Sequence, residues 1–253
     1  MIDSHCHLYA EEFDEDASAV FERAIASGIE RIFLPAIDSS SHEQMMRLAK
    51  AHPGYCLPMM GLHPCYVDQG YGQELRLVEE WLKKEKFYAV GEIGLDYYHS
   101  DEFKEQQVDA FAIQIKLALE YDLPVVIHSR SSMDECIDMI AEHGKGSIRG
   151  IFHCFGGDLR QAKRIIELGF VLGIGGVVTY KNAGLAKVVE ELPLDVLVLE
   201  TDAPYLPPVP YRGKRNEPSY ISLVAEKIAE IKGIGVDEVK QATSATAKKI
   251  FCF

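Results

Sequence analysis

The stretch Arg31-Ile-Phe-Leu-Pro-Ala-Ile37 decides the fold class, because it is a short, unbroken apolar run, and Val196-Leu-Val-Leu199 repeats the pattern near the end of the chain. Runs of this kind are typical of strands that are buried on both faces, as in parallel sheets. They recur about eight times along the chain and alternate with helical patterns. The predicted strands cover 1–7, 31–37, 56–62, 87–95, 124–129, 149–155, 169–175 and 195–201.

The segments between the strands carry apolar residues at helical spacing, and Gly28 ends the first of them as a terminal cap. Helices are predicted over 15–28, 73–85, 103–121, 158–168 and 220–232, with an extra terminal helix over 236–250. Strand–helix alternation with short loops predicts an α/β protein with a parallel sheet. Eight units in 253 residues favour a TIM (β/α)8 barrel, with 1–253 as a single domain, over a doubly wound sheet.

Composition and charge narrow the function classes. Hydrophobic residues make up 47% of the chain and charged residues 26%, as in ordinary globular proteins. The net charge of −13 argues against a broad basic face that coats nucleic acid, but not against a nuclease whose bound cations supply positive charge. No signal peptide is visible, and no apolar run approaches the ~18 residues of a membrane helix. The six scattered cysteines predict reduced thiols in a cytoplasmic protein, and no protein partner is evident.

Histidines and carboxylates recur at the ends of the predicted strands, where the active sites of such barrels form. Because residues two apart in a strand share a face, His5 and His7 are expected to point together into the barrel mouth. Burying such groups together is costly unless a cation joins them. Six ligands are too many for one open site, so we expect two divalent ions, Mg, Mn or Zn. The predicted ligands are His5, His7, Glu92, His128, His153 and Asp202.

Each of these residues has a simpler interpretation when it is taken alone. A single histidine at a strand end is more often a hydrogen-bonded structural residue, and Glu200 is interpreted as a residue that orients a ligand from behind. The prediction of a metal centre therefore depends on all the positions falling at strand ends together.

Six sequence phrases, in order along the chain, resemble the TatD family of metal-dependent deoxyribonucleases, which belongs to the amidohydrolase-type barrels. Together with the loop after the eighth strand, the resemblance runs from residue 2 to about residue 218. These phrases are Ile2-Asp-Ser-His-Cys-His7, Gly61-Leu-His-Pro64, Gly91-Glu-Ile-Gly-Leu-Asp-Tyr97, Pro124-Val-Val-Ile-His-Ser-Arg130, His153-Cys-Phe155 and Leu199-Glu-Thr-Asp-Ala-Pro204. The resemblance implies that His5 and His7 bind one ion with Asp202, that Glu92 bridges both ions, and that His128 and His153 complete the second. It also implies that His63 contacts a phosphate of the substrate. Asn216 and Pro218 match a sequence phrase that follows the eighth strand in members of this family.

The implied reaction is hydrolysis of a phosphodiester bond of DNA, in an exonucleolytic mode, by a water that two divalent ions activate. Asp202 and Glu92 are the expected catalytic residues, and Asp202 would accept the proton of the water. His63, Arg130, Arg212 and Arg215 are expected to hold phosphate oxygens of the substrate. The alternative for Arg212 and Arg215 is that they belong to a solvated loop. Tyrosines near the mouth could stack on bases, namely Tyr97, Tyr98 and Tyr205, and the histidines outside the site are expected at the surface, namely His42, His52, His99 and His143.

Two other functions stay open from the sequence. An amidohydrolase-type deacylase or lactonase acting on a small molecule would use the same metals to polarise a carbonyl, with Glu92 in the bridging role. The second is a barrel that binds metal or a partner protein without catalysing a reaction. A ligand set with an open coordination position argues against this second function. Phosphate chemistry needs cationic side chains around the metals, and this chain has such residues nearby in sequence.

Overall fold

The computed structural model describes residues 1–144 and 146–253 and shows, within them, eight parallel strands and nine α-helices. The strands are β1 (Ile2–Asp3), β2 (Arg31–Pro35), β3 (Cys56–Met59), β4 (Val90–Asp96), β5 (Val125–Arg130), β6 (Gly150–Phe152), β7 (Val171–Ile174) and β8 (Leu197–Leu199). The helices are α1 (Ala17–Ala26), α2 (Ser39–Ala51), α3 (Tyr71–Lys84), α4 (Lys104–Glu120), α5 (Met133–His143), α6 (Leu159–Glu167), α7 (Leu185–Glu191), α8 (Ile221–Lys232) and α9 (Val236–Phe251).

The strands close into a barrel. Strands β1–β3 pair in sequence order, as do β4–β8, and all these pairs are parallel. A parallel bridge between Met60 and Val90 joins β3 to β4, and the Ser4 amide donates to the Leu199 carbonyl at 3.0 Å, which joins β1 to β8. The predicted (β/α)8 barrel is therefore confirmed. Within the described residues, every helix lacks the length or apolarity that a bilayer crossing requires.

The strands are shorter than predicted at the mouth of the barrel. Strand β1 ends at Asp3 rather than at residue 7, and β6 ends at Phe152 rather than at residue 155. At this edge, backbone N–H groups donate to acceptors outside the regular strand pairing: the His5 amide donates to the Asp3 carboxylate at 3.3 Å. The candidate ligands of these two strands consequently lie just past the strand ends, on connections that the barrel holds in place.

The interior of the barrel is a separate apolar cluster, and α9 covers one end of it. Seven of the strands contribute a buried side chain to it, Ala89 does so just before β4, and α9 adds Ala247, Ile250 and Phe251. The Phe251 ring stacks on Phe33 of β2 with the ring centroids 3.6 Å apart. Helix α9 contacts the turn before β8, so it covers the amino-terminal ends of the strands, opposite the candidate site. The predicted terminal helix thus completes the core.

Replacing Phe251 by alanine is expected to lower the free energy of unfolding by about 3–5 kcal/mol, because the buried ring leaves a cavity below the barrel. Urea denaturation measures the loss. The matched control is Phe253→Ala: that ring is 41% exposed, and its removal is expected to cost about 1 kcal/mol or less. Equal losses in both variants would show that α9 does not close the core.

The prediction that His42 lies at the surface is wrong. Its side chain is buried in α2, edge-on to Trp81, and burial lowers its pKa. The residues Met45, Met46 and Ala49 are buried on the same helix, three, four and seven positions further on. This spacing places His42 on the buried face of α2, so the helical period was the signal that outweighed the polar character of histidine.

Candidate metal centre at the carboxyl ends of the strands

The carboxylate of Glu92, on β4, is the centre of the candidate site and is buried. One of its oxygens, Oε2, lies 3.1 Å from His5 Nε2 and 3.8 Å from His7 Nε2. Asp202 faces the same two rings, since its Oδ1 is 3.8 Å from His5 Nε2 and 3.7 Å from His7 Nε2. The segments that follow the first and last strands, β1 and β8, thus place three possible ligands on one side of Glu92.

The other oxygen of Glu92, Oε1, faces a second group of imidazoles. It lies 3.0 Å from His128 Nδ1 and 3.6 Å from both His63 Nε2 and His153 Nε2. His153 Nε2 is also 3.7 Å from Asp202 Oδ1, so this ring contacts both sides of the site. The six predicted metal ligands therefore converge in the structure, and His63 joins them beside His128.

Hydrogen bonds behind the ring of His7 determine which of its nitrogens faces the site. The Tyr9 hydroxyl donates to the Pro35 carbonyl at 2.6 Å and lies 3.1 Å from His7 Nδ1. Because the hydroxyl proton is already used, the His7 Nδ1–H group donates to Tyr9. The lone pair of His7 is then on Nε2, which points at Glu92 and can bind a cation.

Two carboxylates hold His128 and His153 in the same manner. Asp96 Oδ2 is 2.9 Å from His128 Nε2, and Glu200 Oε1 is 3.1 Å from His153 Nδ1. Glu200 thus lies behind His153, as its sequence interpretation predicted. Gly173 leaves room for the Glu200 carboxylate, because a Cβ at this position would collide with it. Carboxylates behind ligating histidines commonly orient the ring and raise its basicity.

Asp96 was not among the site residues predicted from the sequence, although a signal for it was present. Residues two apart in a strand share a face, so positions 92, 94 and 96 of β4 all point the same way. Asp96 therefore shares the face of Glu92, and its side chain is fully buried. Its two backbone partners, the amides of Tyr98 and His99, donate to Oδ1 at 3.0 and 3.1 Å and fix the carboxylate.

The spacing of the donor atoms fits divalent cations. His5 Nε2 and His7 Nε2 face each other at 3.3 Å, and several other pairs lie 3.6–3.8 Å apart, which is too long for hydrogen bonds. Two ligands on one tetrahedral ion with bonds of 2.0–2.2 Å are separated by about 3.4 Å. Three overlapping groups have ligand atoms close enough to share an ion: His5, His153 and Asp202; His5, His7 and Glu92; and His63, Glu92 and His128.

The protonation states of His7, His63 and Glu92 suit metal binding, whereas nearby carboxylates, acting against burial, raise the pKa of His128 and raise that of His153 to about 10, so these two rings give up a proton when a cation binds. Burial lowers the pKa of His7 to about 4 and the pKa of His63 to about 3, so both rings are neutral near pH 7. Burial opposes the ionisation of Glu92, yet the surrounding His5, His63 and His153 hold its pKa well below the usual range. Burial raises the pKa of Asp202 to about 7. Neutral imidazoles and an ionised Glu92 are the forms that bind a cation.

Comparison with known proteins identifies the family of the chain. The family model described as TatD related DNase matches residues 2–252. The chain belongs to the TatD family. It is 39% identical over 252 residues to YabD of Bacillus subtilis (strain 168), described as an uncharacterized metal-dependent hydrolase, with 99% of this chain and 98% of YabD covered. The relative YcfH of Escherichia coli (strain K12), with the same description, is 33% identical over 257 residues, covering 99% of this chain and 95% of YcfH.

A solved structure agrees with the TatD fold along the whole chain. The crystal structure of YjjV, a TatD homolog from Escherichia coli K12, superposes with a TM-score of 0.94 at 33% identity. The superposition covers 100% of this chain and 98% of that one. The expected family and barrel are both confirmed, and the chain is a member of a family of metal-dependent hydrolases.

The proline-containing loop after β8 is anchored to the segment that directly follows the strand, but its arginine at position 215 is engaged elsewhere. The side-chain amide of Asn216 donates to the carbonyls of Thr201 and Tyr205, each at 2.7 Å. The Arg215 guanidinium binds both carboxylate oxygens of Asp16 at 2.7 and 2.8 Å. The structure therefore assigns Asn216 a part in holding the loop and does not bring Arg215 into the cluster around Glu92.

The other two arginines expected at the substrate lie over aromatic rings. The guanidinium of Arg130 is 4.0 Å from the centre of the Tyr98 ring, and that of Arg212 is 4.3 Å from the centre of the Tyr180 ring. Both side chains are exposed. Neither is committed to a carboxylate among the ion pairs of the described residues, so both charges are available to an anion.

The three tyrosines expected near the mouth have different surroundings. Tyr205 is 46% exposed and lies edge-on to the candidate ligand His7, with the ring centroids 5.8 Å apart. Tyr98 is exposed and carries Arg130 on its face. Tyr97 is half-buried, and the Lys104 ammonium covers its ring at 4.3 Å. Of the three, Tyr205 is the one whose ring contacts a candidate metal ligand.

Replacing Asp96 by asparagine is expected to weaken metal binding or turnover by about 10–100-fold, because such partners behind a ligating histidine typically have effects of this size. The amide keeps the size of the side chain but holds the His128 ring without a negative charge. Metal titration by calorimetry, with chelator-treated protein, measures the change. Affinity equal to that of the unchanged protein would contradict the positioning role of Asp96.

Proposed function

We propose that this TatD-family chain is a divalent-metal-dependent deoxyribonuclease that cleaves phosphodiester bonds from a DNA end. The family description supports a nuclease. The observation that carries the proposal is the position of Glu92, a single buried carboxylate whose two oxygens face two different sets of imidazoles. A bridging carboxylate of this kind suits a pair of ions, which is the arrangement of many phosphodiester-cleaving enzymes.

In this proposal, His5, His7 and Asp202 would hold one ion, His128 and His153 would hold the other, and Glu92 would serve both. Mg, Mn or Zn fits this mixture of imidazole and carboxylate ligands. When bound, such ions neutralise charge on the attacking and leaving oxygens of phosphate and acidify water.

The side chains do the remaining work of the proposed reaction. Asp202 accepts the proton of the attacking water at its carboxylate, and Glu92 keeps the ligands in position. His63, beside His128, contacts a phosphate oxygen. Around this centre, the exposed Arg130 and Arg212 hold further phosphates of the strand, as charge-assisted hydrogen bonds would.

The surface outside the site gives the proposed substrate little general attraction. With a net charge of −13, binding of DNA is expected to be weak and concentrated at the bound cations and the few free arginines. The exposed ring of Tyr205 can stack on a base next to the scissile phosphate, which favours a single-stranded end. We place the protein in a reducing cytoplasm, in keeping with its six free cysteines.

The test is cleavage of end-labelled single-stranded DNA, double-stranded DNA and RNA by the purified protein with Mg²⁺, Mn²⁺ or Zn²⁺. We expect mononucleotide products from the earliest times, complete loss of cleavage with a chelator and recovery when metal is restored. Hydrolysis of lactone or amide substrates, with no cleavage of any nucleic acid under the same conditions, would overturn the proposal in favour of a small-molecule hydrolase.

A further inference from the structure

A second group of possible ligands lies beside the catalytic centre. The Sγ of Cys65 is 3.6 Å from His99 Nδ1, and this nitrogen is 3.1 Å from Asp96 Oδ2. A thiol, an imidazole and a carboxylate therefore converge on one point. We propose that these three residues form an additional site for a thiophilic divalent cation of the Zn²⁺ class, separate from the proposed catalytic ions.

The separations match those of a tetrahedral zinc site. With bonds of about 2.3 Å to sulfur and about 2.0–2.1 Å to nitrogen and oxygen, a tetrahedral ion separates sulfur from nitrogen by about 3.6 Å and nitrogen from oxygen by about 3.4 Å. Cys65 and His99 already have the first spacing, and His99 needs to move only about 0.3 Å from Asp96 to reach the second. The fourth position opens to solvent, because Cys65 and His99 are both exposed.

The backbone holds these ligands in place before any ion binds. Cys65 lies in a short 3-10 turn, Pro64–Tyr66, and its amide donates to His63 Nδ1 at 3.0 Å. The amide of His99 donates to Asp96 Oδ1 at 3.1 Å, which leaves Oδ2 facing His99 Nδ1. A site whose ligands are fixed by such contacts loses less conformational freedom on binding a cation.

The surroundings of this site attract cations. It opens into a cleft of about 640 Å³ whose wall includes the carboxylates of Asp38, Asp68, Glu74 and Glu102. Among the described residues, neither lysine nor arginine lines this cleft. A concave surface lined by charges of one sign raises the local concentration of counter-ions, so the cleft supplies cations and repels the phosphates of a nucleic acid.

The ligand chemistry distinguishes this site from the catalytic centre. The proposed catalytic ligands are imidazoles and carboxylates only, whereas Cys65 adds a sulfur, which selects softer metals such as Zn²⁺ over Mg²⁺. Binding is an exchange: the thiol proton of Cys65 leaves to solvent, the sulfur forms a bond to the cation, and His99 binds through a neutral nitrogen. Asp96 links the two places, because its Oδ2 also lies 2.9 Å from His128 Nε2.

The experiment is a titration of the metal-free full chain with Co²⁺, followed by absorbance in the near ultraviolet, where thiolate bound to cobalt gives a charge-transfer band. Because the proposed catalytic ligands lack sulfur, this band reports the new site and requires no enzymatic activity. We expect the band in the unchanged protein, its complete loss in Cys65→Ser, and at least tenfold weaker binding in His99→Asn.

Two other thiols provide matched controls. Cys252 is exposed near the end of α9, and Cys154 lies beside His153 and Glu200, where it could also meet a metal. The band should persist in Cys252→Ser and in Cys154→Ser. The proposal is overturned if saturating Co²⁺ gives no band in the unchanged protein, or if the band survives in Cys65→Ser or disappears in Cys154→Ser.

Discussion

Replacing Asp202 by asparagine is expected to lower the rate of DNA cleavage by about 10²–10⁴-fold, the usual contribution of a positioned proton acceptor. The Asp202 carboxylate lies among His5, His7 and His153, with Oδ1 3.7–3.8 Å from a nitrogen of each ring. An amide of the same size can still face a cation through its oxygen but cannot take up the proton of a water. The measurement is kcat and kcat/KM on end-labelled DNA, which should fall together because the lost interaction belongs to the transition state.

Asparagine is the informative substitution because of the backbone at this position. Asp202 has φ of 56°, in the left-handed region, which asparagine tolerates better than most residues other than glycine. An alanine would combine the loss of the carboxylate with local strain. The matched control is Asp195→Asn, an exposed aspartate at the opposite end of β8, which should leave cleavage unchanged. Full DNA cleavage by Asp202→Asn would point to a contaminating nuclease or to another proton acceptor.

Replacing Glu92 by glutamine is expected to reduce the number of tightly bound ions and to weaken their binding by about 10²–10⁴-fold. Removing one partner from a buried group of charges typically costs about 3–5 kcal/mol, and each 1.4 kcal/mol corresponds to about a tenfold change in affinity. The two oxygens of Glu92 face His5 on one side and His128 on the other, so a neutral amide weakens both sides. Elemental analysis of the purified protein, with a metal titration, measures the effect.

Glu200→Gln is the control for this prediction, because Glu200 is also a fully buried glutamate of the same site. It contacts His153 Nδ1 from behind rather than facing the cation position, so we expect a smaller loss, about 10–100-fold. If the two variants bound metal equally well, Glu92 would not be the bridging ligand. If Glu92→Gln kept the full metal content and turnover, the two-ion arrangement would be wrong.

The candidate ligands could be located from the sequence because the carboxyl ends of parallel strands must meet at one edge of a barrel. His5 and His7 reach that edge although they lie just past the end of β1 rather than within the strand. Alternation of side chains along β4 would have found Asp96, which shares the face of Glu92. Glu92, Asp96 and His128 could be recognised without coordinates, since within a strand the chain direction and a period of two determine where each side chain points.

Long-range pairing decided the residues that the sequence did not place. Arg215 belongs to a basic segment that could hold phosphate, yet in the fold its guanidinium meets Asp16, which lies 199 positions away in the chain. The pairing of Cys65 with His99 joins two connections that follow different strands, and neither residue is part of a recognisable local pattern. Which charges neutralise each other depends on which loops the barrel brings together.

The amino-acid sequence alone determined the alternation of strands and helices, the TatD-like phrases and the set of residues at the mouth, because hydrophobic periodicity and strand alternation act over a few residues. Tertiary structure alone decided which imidazoles face each oxygen of Glu92, which histidine each of Asp96 and Glu200 holds, and that Phe251 closes the barrel on Phe33. Those contacts join positions tens to hundreds of residues apart, and only closure of the barrel brings them within bonding distance.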